Sequence, residues 1–195
     1  HDPKFPEIAS FKGQVIRPQF WPEDLDYQDK TVVIIGSGAT AMTLVPAMAK
    51  KAKQVTMLQR SPTYVLSRPS EDWFANGLRK IMPSTWAYAV TRFRNTLFQE
   101  VLFKQARKYP AMAKRLLIRQ LRKQLGKDYD VEKHFTPNYN PWDQRLCLVP
   151  DDDLFKAISS GSATVVTDHI QRFTETGIEL KSGQNLQADI VVSAT

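Results

Sequence analysis

Residues 36–41 have the composition and spacing of a turn that binds a phosphate group. They follow directly on a strongly apolar run, residues 31–35, and precede apolar residues at helical spacing. Gly36 permits a tight turn, Gly38 allows backbone N–H groups to approach a pyrophosphate, and Ala41 lets the helix pack close to the strand. The candidate cofactor-binding residues of this turn are Gly36, Ser37, Gly38, Ala39, Thr40 and Ala41. The pattern predicts a dinucleotide site on a helix N-terminus, with an ordinary glycine-rich turn of another α/β fold as the alternative.

The residues after the next predicted strand indicate which dinucleotide is bound. Residues 54–58 form that strand, and Gln59, Arg60, Ser61 and Pro62 follow it. A site for NAD usually carries an acid here that accepts from the ribose 2′-OH, and this chain has none. Because an arginine and a hydroxyl suit a 2′-phosphate, Arg60 and Ser61 predict NADPH rather than NADH. A surface arginine at a strand end is the alternative interpretation.

The elements that must position these residues alternate between strands and helices. We expect the first helix to continue to residue 53, a loop over residues 61–69, and a short helix over residues 151–160. Further strands are expected at residues 163–167 and 189–193, with an antiparallel pair at 170–176 and 177–181. The sequence therefore predicts an α/β fold, a Rossmann-like parallel sheet with a helical insertion and a small antiparallel β meander.

Residues 71–133 form the predicted insertion, with helices at 72–82, 86–108 and 112–127 broken by Pro83 and Pro110. This segment holds 14 of the Lys and Arg residues against 6 acids, in a chain whose net charge is +7. Such basicity can attract nucleic acid, anionic lipid or an anionic cofactor, but a solvated helix face is the favoured interpretation. Its aromatic residues are interpreted as internal packing or an interface with a missing domain, with no nucleic acid as partner. They are Trp73, Phe74, Trp86, Tyr88 and Phe93.

Composition places the chain among soluble globular proteins. Its 195 residues can bury a core, and no stretch has the length of a transmembrane segment or the pattern of a signal peptide. The one cysteine, Cys147, excludes an internal disulfide and lies among apolar residues, so we expect a buried structural thiol and a cytoplasmic location. His134 and His169 are interpreted as structural, and no metal site is predicted.

The first residues, 1–29, are rich in proline and aromatic residues, which predicts an extended interdomain linker laid over a surface. Phe11, Gly13, Trp21 and Pro22 match the spacing F-x-G-x-x-x-H-x-x-x-W-[PD]. The chain thereby resembles the flavin-dependent Baeyer–Villiger monooxygenases, in particular their ethionamide-activating subgroup. It departs from the pattern at position 17, where Arg17 replaces the family histidine. That departure puts the coupling of linker and coenzyme in question.

The resemblance implies roles for further residues in the stretch 134–150, which is predicted to be irregular. It assigns Arg145 as the catalytic arginine, which also binds the cofactor: it stabilises an anionic flavin peroxide and orients the nicotinamide. It places Ser61 beside Arg60 at the adenosine phosphate. A loop salt bridge of Arg145 with Asp143 or Asp151 is the alternative.

The resemblance also implies the domain organisation. Residues 1–29 are the linker, residues 30–70 and 134–195 the NADPH-binding domain, and the FAD domain is absent, so we expect a fragment. In the whole enzyme NADPH would reduce FAD, and the flavin peroxide would oxidise a ketone or sulfur compound. The isolated fragment would be inactive. The alternatives are the coenzyme domain of an N-hydroxylating monooxygenase or a reductase, or a non-catalytic NADPH-binding interaction module.

Overall fold

The computed structural model describes residues 5–195, so that the first four residues of the predicted linker lie outside it. In chain order the strands are β1 (Gln14–Ile16), β2 (Thr31–Ile35), β3 (Gln54–Gln59), β4 (Tyr64–Arg68), β5 (Leu146–Pro150), β6 (Ala163–Thr167), β7 (Ile170–Thr174), β8 (Gly177–Leu180), β9 (Asn185–Gln187) and β10 (Ile190–Ser193). The helices are α1 (Ala39–Met48), α2 (Trp73–Ile81), α3 (Ser84–Lys108), α4 (Pro110–Leu125), α5 (Val131–Phe135) and α6 (Asp153–Ser159).

A five-stranded parallel sheet, in the order β1-β10-β2-β3-β6, forms the centre of the molecule. Ile35 lies opposite Leu58, and Gln59 lies opposite Thr167, so β2, β3 and β6 end at one edge of the sheet. A separate antiparallel sheet, β7-β8-β9, is the predicted meander with one strand more than expected. The predicted fold class is confirmed.

The apolar run of β2 is continuous because both faces of the sheet are covered. Val32 and Ile34 face one core, which also contains residues of α1 and α6. Val33 and Ile35 face a second core, which contains residues of the meander. Strand β2 is thereby fixed on both sides, and the turn that follows it starts from a rigid position.

The predicted linker is more than an extended segment, because its residues 14–16 add strand β1 to the edge of the sheet beside β10. Phe11 is buried and meets the ring of Phe173 edge-on, with 6.0 Å between ring centroids. A Cβ on Gly13 would lie 2.4 Å from the carbonyl oxygen of Asp189 and 2.5 Å from the Phe11 ring. The F-x-G spacing therefore fixes this segment against the meander and β10, and Trp21 packs against the other core.

Three expectations about local structure are wrong. Residues 61–69 do not form a loop throughout, because β4 pairs in parallel with β5, a partner that lies beyond the insertion. The pairing turns Tyr64 and Val65 into buried residues. Strand β5 also gives regular structure to the end of the stretch 134–150, and α5 to its start. Helix α1 ends at Met48, short of residue 53, so the lysines that follow it lie in a turn.

The insertion is helical as expected, and Pro110 starts α4 rather than only ending α3. Asp72 caps α2, since its carboxylate accepts from the backbone N–H groups of Phe74 and Ala75. The expectation of internal packing holds for Phe74, which is half-buried under the Arg94 guanidinium at 4.3 Å from the ring centroid. The other aromatic residues named above are exposed. They are Trp73, Trp86, Tyr88 and Phe93.

No helix in residues 5–195 is long and apolar enough to cross a membrane.

We expect Gly13→Ala to lower the free energy of unfolding by about 2 kcal/mol, because the new methyl group meets backbone and a buried ring. Urea unfolding followed by circular dichroism measures the change. Gly77→Ala is the matched control: Gly77 lies inside α2 with open space around it, so the substitution should stabilise by about 0.5–1 kcal/mol. A neutral Gly13→Ala would show that the linker is not fixed by this contact.

Candidate functional site

The predicted glycine turn begins where β2 ends. Gly36 adopts φ +134°, and a Cβ there would lie 2.6 Å from the carbonyl oxygen of Ala194. Its backbone N–H donates to the carbonyl of Leu58 at 2.8 Å, at the end of the neighbouring strand β3. Only glycine fits this position without displacing β10, so the turn has a single geometry relative to the sheet.

Helix α1 presents an uncapped N-terminus at the same edge. Its cap residue is Gly38, no side chain caps it, and the first helical hydrogen bond runs from the N–H of Met42 to the Gly38 carbonyl at 3.0 Å. The N–H groups of the three residues between them have no acceptor within the helix. Ala39 and Thr40 are exposed, whereas Ala41 is fully buried against the core. The exposed turn can therefore accept an anion.

Arg145 lies over this turn, although it comes from a loop more than a hundred residues later. Its Nη1 atom is 3.4 Å from the position that a Cβ of Gly38 would occupy. Asp143 pairs instead with Arg107 of α3 at 2.8 Å, and Asp151 accepts from a backbone N–H at the end of β4. Across residues 5–195, Arg145 forms no salt bridge, so the alternative interpretation of this arginine is not observed.

Two tyrosines hold the loop that carries Arg145. The Tyr64 hydroxyl donates to the Tyr139 carbonyl at 2.8 Å, and the Tyr139 hydroxyl donates to the Arg145 carbonyl at 3.1 Å. Their rings meet edge-on with 5.4 Å between centroids. Burial, followed by the phenol of Tyr139 and the charge of Asp143, raises the pKa of Tyr64 to about 12. Tyr64 therefore remains a proton donor throughout the physiological pH range.

A cleft of about 540 Å³ collects most of the predicted site residues. Those that line it are Gly36, Ser37, Gly38, Arg60, Ser61 and Arg145. The remaining three, Ala39, Thr40 and Ala41, form the first turn of α1 beside it. The fold thus brings the glycine turn, the end of β3 and the Arg145 loop to one opening at the carboxyl edge of the sheet, where open α/β sheets bind their ligands.

Ser37 connects the glycine turn with the segment after β3. Its hydroxyl lies 3.1 Å from the hydroxyl oxygen of the buried Thr63 and 3.4 Å from the carbonyl oxygen of Ser61. Below it, the Cys147 thiol lies 3.8 Å from the Ser37 carbonyl. The expected burial of Cys147 is confirmed, and burial raises the pKa of its thiol against a smaller opposing effect of Arg145. The thiol contributes packing and supplies no nucleophile.

Sequence reasoning missed part of the cleft wall. Asp168, His169 and Lys181 also line it, from the end of β6 and the end of β8. The Asp168 carboxylate accepts from the backbone N–H groups of Ser182 and His169. Its pKa is lowered mainly by side-chain hydrogen bonding with Ser182 and further by these backbone bonds. The N–H of Lys181 donates to the His169 carbonyl at 2.9 Å. The position of β6 next to β3 could have indicated Asp168, but nothing local points to Lys181.

His134, which was expected to be structural, lies beside the cleft and has the hydrogen bonding and burial of a structural histidine. Its Nδ1 atom is 2.8 Å from the Thr167 hydroxyl, and burial lowers the pKa of the imidazole. Gln59 donates to both the His134 carbonyl and the Thr167 hydroxyl, at 2.7 and 2.9 Å. These bonds hold the ends of β3 and β6 together behind the cleft.

Comparison with known sequences identifies the family. The family described as FMO-like, flavin-binding monooxygenase-like, matches residues 2–195. The chain belongs to this family. The resemblance stated from the fingerprint and the glycine turn is thereby confirmed at the level of flavin-binding monooxygenase-like proteins.

Two curated relatives are similar along the whole chain. The "Probable FAD-binding monooxygenase AlmA" of Acinetobacter baylyi is 57% identical over 195 residues, which are 100% of this chain and 39% of that protein. The "FAD-containing monooxygenase EthA" of Mycobacterium tuberculosis is 53% identical over 196 residues, 100% of this chain and 40% of that protein. This flavin-binding monooxygenase-like chain therefore spans about two fifths of the length of these relatives.

A solved structure shares the fold. An oxidized steroid monooxygenase bound to NADP superimposes with a TM-score of 0.78 at 20% identity, covering 100% of this chain and 44% of that chain. The overall fold of this flavin-binding monooxygenase-like chain is therefore shared with that structure.

The Tyr64 contact makes stability depend on alkaline pH. Its pKa of about 12 in the folded chain lies above the ordinary 10.0, so the unfolded chain loses its phenolic proton first. The free energy of unfolding should therefore be insensitive to this group below pH 10 and should fall between pH 10 and 12, by at most about 1.4 kcal/mol per pH unit. Tyr129, whose pKa burial also raises to about 12, adds to the slope.

Urea unfolding at several pH values measures this slope in the wild type and in Tyr64→Phe. In Tyr64→Phe the free energy of unfolding should fall less steeply between pH 10 and 12, by the contribution of one titrating group. Tyr88→Phe, at an exposed tyrosine, should show the wild-type pH dependence. An unchanged slope in Tyr64→Phe would contradict the burial argument.

Proposed function

We propose that this chain is the NADPH-binding domain of a flavin-dependent monooxygenase of the Baeyer–Villiger or sulfoxidation type. Residues 30–70 and 134–195 form the domain, residues 5–29 belong to the linker, and FAD is bound mainly by a part of the protein outside this chain. One observation carries the proposal: the Arg145 guanidinium and the uncapped N-terminus of α1 converge at Gly38, in a cleft that also contains Arg60. The names of the relatives, which include FAD, and of the steroid monooxygenase bound to NADP support it.

The cleft residues fit the parts of NADPH one by one. The pyrophosphate would accept from the N–H groups of the first turn of α1, since no side chain occupies them. The adenosine 2′-phosphate would lie against Arg60 and Ser61, which are both exposed at the end of β3. The last residue of β3, Gln59, has its side chain bound to its neighbours, and no carboxylate stands at this strand end to select a ribose 2′-OH.

The reaction proper belongs to the cofactors, which supply hydride transfer and oxygen activation when both are bound. The chain's own part is to bind NADPH, select it by its 2′-phosphate, and present a cation beside the reacting end. Arg145 fits that part because its guanidinium is always charged and its backbone is fixed by Tyr139. The substrate would be a ketone or a sulfur compound, and the chain alone would lack oxygenase activity. A cytoplasmic location also stays a prediction.

Arg60→Ala tests the coenzyme assignment. The wild type should prefer NADPH over NADH by about tenfold or more, because one or two charge-assisted hydrogen bonds reach the 2′-phosphate. The variant should lose most of this preference, with little change in NADH affinity. Titration followed by tryptophan fluorescence measures both constants.

Arg68→Ala is the matched control, since Arg68 is an exposed arginine at the end of β4 and does not line the cleft. It should keep the full preference. Equal affinities for NADPH and NADH in the wild type would refute the 2′-phosphate assignment, and the absence of binding to either would refute the coenzyme site.

Tyr139→Phe separates the two halves of the cleft. The substitution removes the hydrogen bond to the Arg145 carbonyl while keeping the ring, so the guanidinium loses its fixed position over Gly38. We expect NADPH to bind several-fold more weakly. The fragment 2′,5′-ADP keeps the 2′-phosphate but lacks the nicotinamide-side phosphate of the pyrophosphate and the nicotinamide itself, and its affinity should be unchanged. Arg145→Ala should give the same division with a larger loss, about tenfold or more. A parallel loss of 2′,5′-ADP affinity in Tyr139→Phe would mean that the tyrosine supports the whole cleft.

A further inference from the structure

Helix α3 carries a line of apolar residues on its solvent side. Trp86, Val90, Phe93, Leu97 and Val101 follow one another at intervals of three and four, which places them on one face; we name them the outer stripe. Trp86 and Phe93 are 68% and 71% exposed, and the three aliphatic residues are 41–49% exposed. An amphipathic helix of a globular protein normally turns such a face toward the core. Here the residues of α3 that are buried are small ones, Ala87 and Ala106.

The helices around the outer stripe carry more basic than acidic residues. Residues 73–127, which include α2, α3 and α4, contain thirteen Lys and Arg and a single acid, Glu100. That acid is paired with Lys104 at 2.6 Å, and two acids outside this range, Asp72 and Asp143, pair with Arg94 and Arg107 of α3. Lys104 and Lys108 continue the line of the outer stripe toward the end of the helix at the same spacing. An apolar line flanked by basic residues is complementary to a surface that has anionic groups on its outside and an apolar layer beneath them.

We propose that the outer stripe lies on the surface of an anionic lipid bilayer. Trp86 and Phe93 enter the boundary between headgroups and acyl chains, while the lysines and arginines of the insertion reach the lipid phosphates. This inference goes beyond the proposed coenzyme function and does not depend on it.

Two other occupants fit the observations less well. A second copy would bring two strongly basic insertions together, and their charges would repel each other. A nucleic acid would satisfy the basic residues, but it would place Val90, Leu97 and Val101 against a phosphate backbone that offers them no apolar contact. A bilayer surface satisfies both the apolar line and the charge.

Vesicle flotation tests the proposal on the wild-type chain. It should float with vesicles of phosphatidylglycerol and phosphatidylcholine in equal amounts, float poorly with pure phosphatidylcholine, and bind less as salt is raised. Trp86→Ser combined with Phe93→Ser should weaken partition into the anionic vesicles by about tenfold or more. Phe20→Ser is the matched control, because Phe20 is 74% exposed but lies outside the insertion, and it should bind as the wild type does.

NADPH titration and circular dichroism on the same variants should be unchanged, which separates this test from that of the coenzyme site. Four outcomes would overturn the proposal. They are equal binding to neutral and anionic vesicles, unchanged binding by the double variant, self-association in solution that the double variant abolishes, and failure of a longer natural form of the protein to bind vesicles that the 195-residue chain binds. The last result would mean that another part of the polypeptide covers the stripe.

Discussion

The structure depends on the contact of three parallel strand ends at Gly36. The Gly36 N–H is bonded to the end of β3, and the N–H of Ala194, just after β10, donates to the carbonyl of Ile35 at 2.9 Å. The Ala194 carbonyl occupies the space where a side chain of residue 36 would be. A strand that turns into a helix at this point has only one path. The direction of α1, and with it the direction of its unpaired N–H groups, is therefore set by the sheet and needs no further support.

The other half of the cleft is held in a different way, through side chains rather than through the main sheet. The loop before β5 returns from the insertion, and the β4–β5 pair brings it back to the sheet edge. Tyr64 at the start of β4 then bonds Tyr139, and Tyr139 bonds the backbone of Arg145. A loop anchored at two buried or half-buried tyrosines can carry a charged side chain with little entropy left to lose on binding. The position of Arg145 thus depends on the β4–β5 pair and on two tyrosines, none of which belongs to the insertion.

The difference between these two halves explains what the sequence could predict. Strand β2, the glycine turn and β6 are encoded locally, by apolar runs and by glycines whose conformation a turn requires, and they lie where the pattern indicated. Strand β4 could not be recognised, because residues 64–68 become a strand only through pairing with β5 across the insertion, and strand propensity depends on such partners. Lys181 was not predicted as a cleft residue for the same reason, because the meander brings it to the cleft and no local motif indicates it.

The outer stripe shows what a local pattern leaves open. Helical spacing of apolar residues predicted α3 to within two residues of its observed start, whereas the aromatic residues of this helix were interpreted either as internal packing or as an interface with a missing domain. Periodicity reports which residues share a face and carries no information about what covers that face. The charges supply that information here.

The acids near α2 and α3 are paired inside the insertion, Asp72 with Arg94 and Glu100 with Lys104, and Asp143 is paired with Arg107. In the cleft the Asp168 carboxylate is bonded to backbone N–H groups, and within residues 5–195 no salt bridge involves Arg60, Arg145 or Lys181. Cations that the protein leaves without a partner attract anions from solution. The fold has thus placed positive charge in two regions: a cleft whose cations form no salt bridge and can enclose a phosphate, and the helical insertion, where basic residues outnumber acids although several of those on α3 are paired.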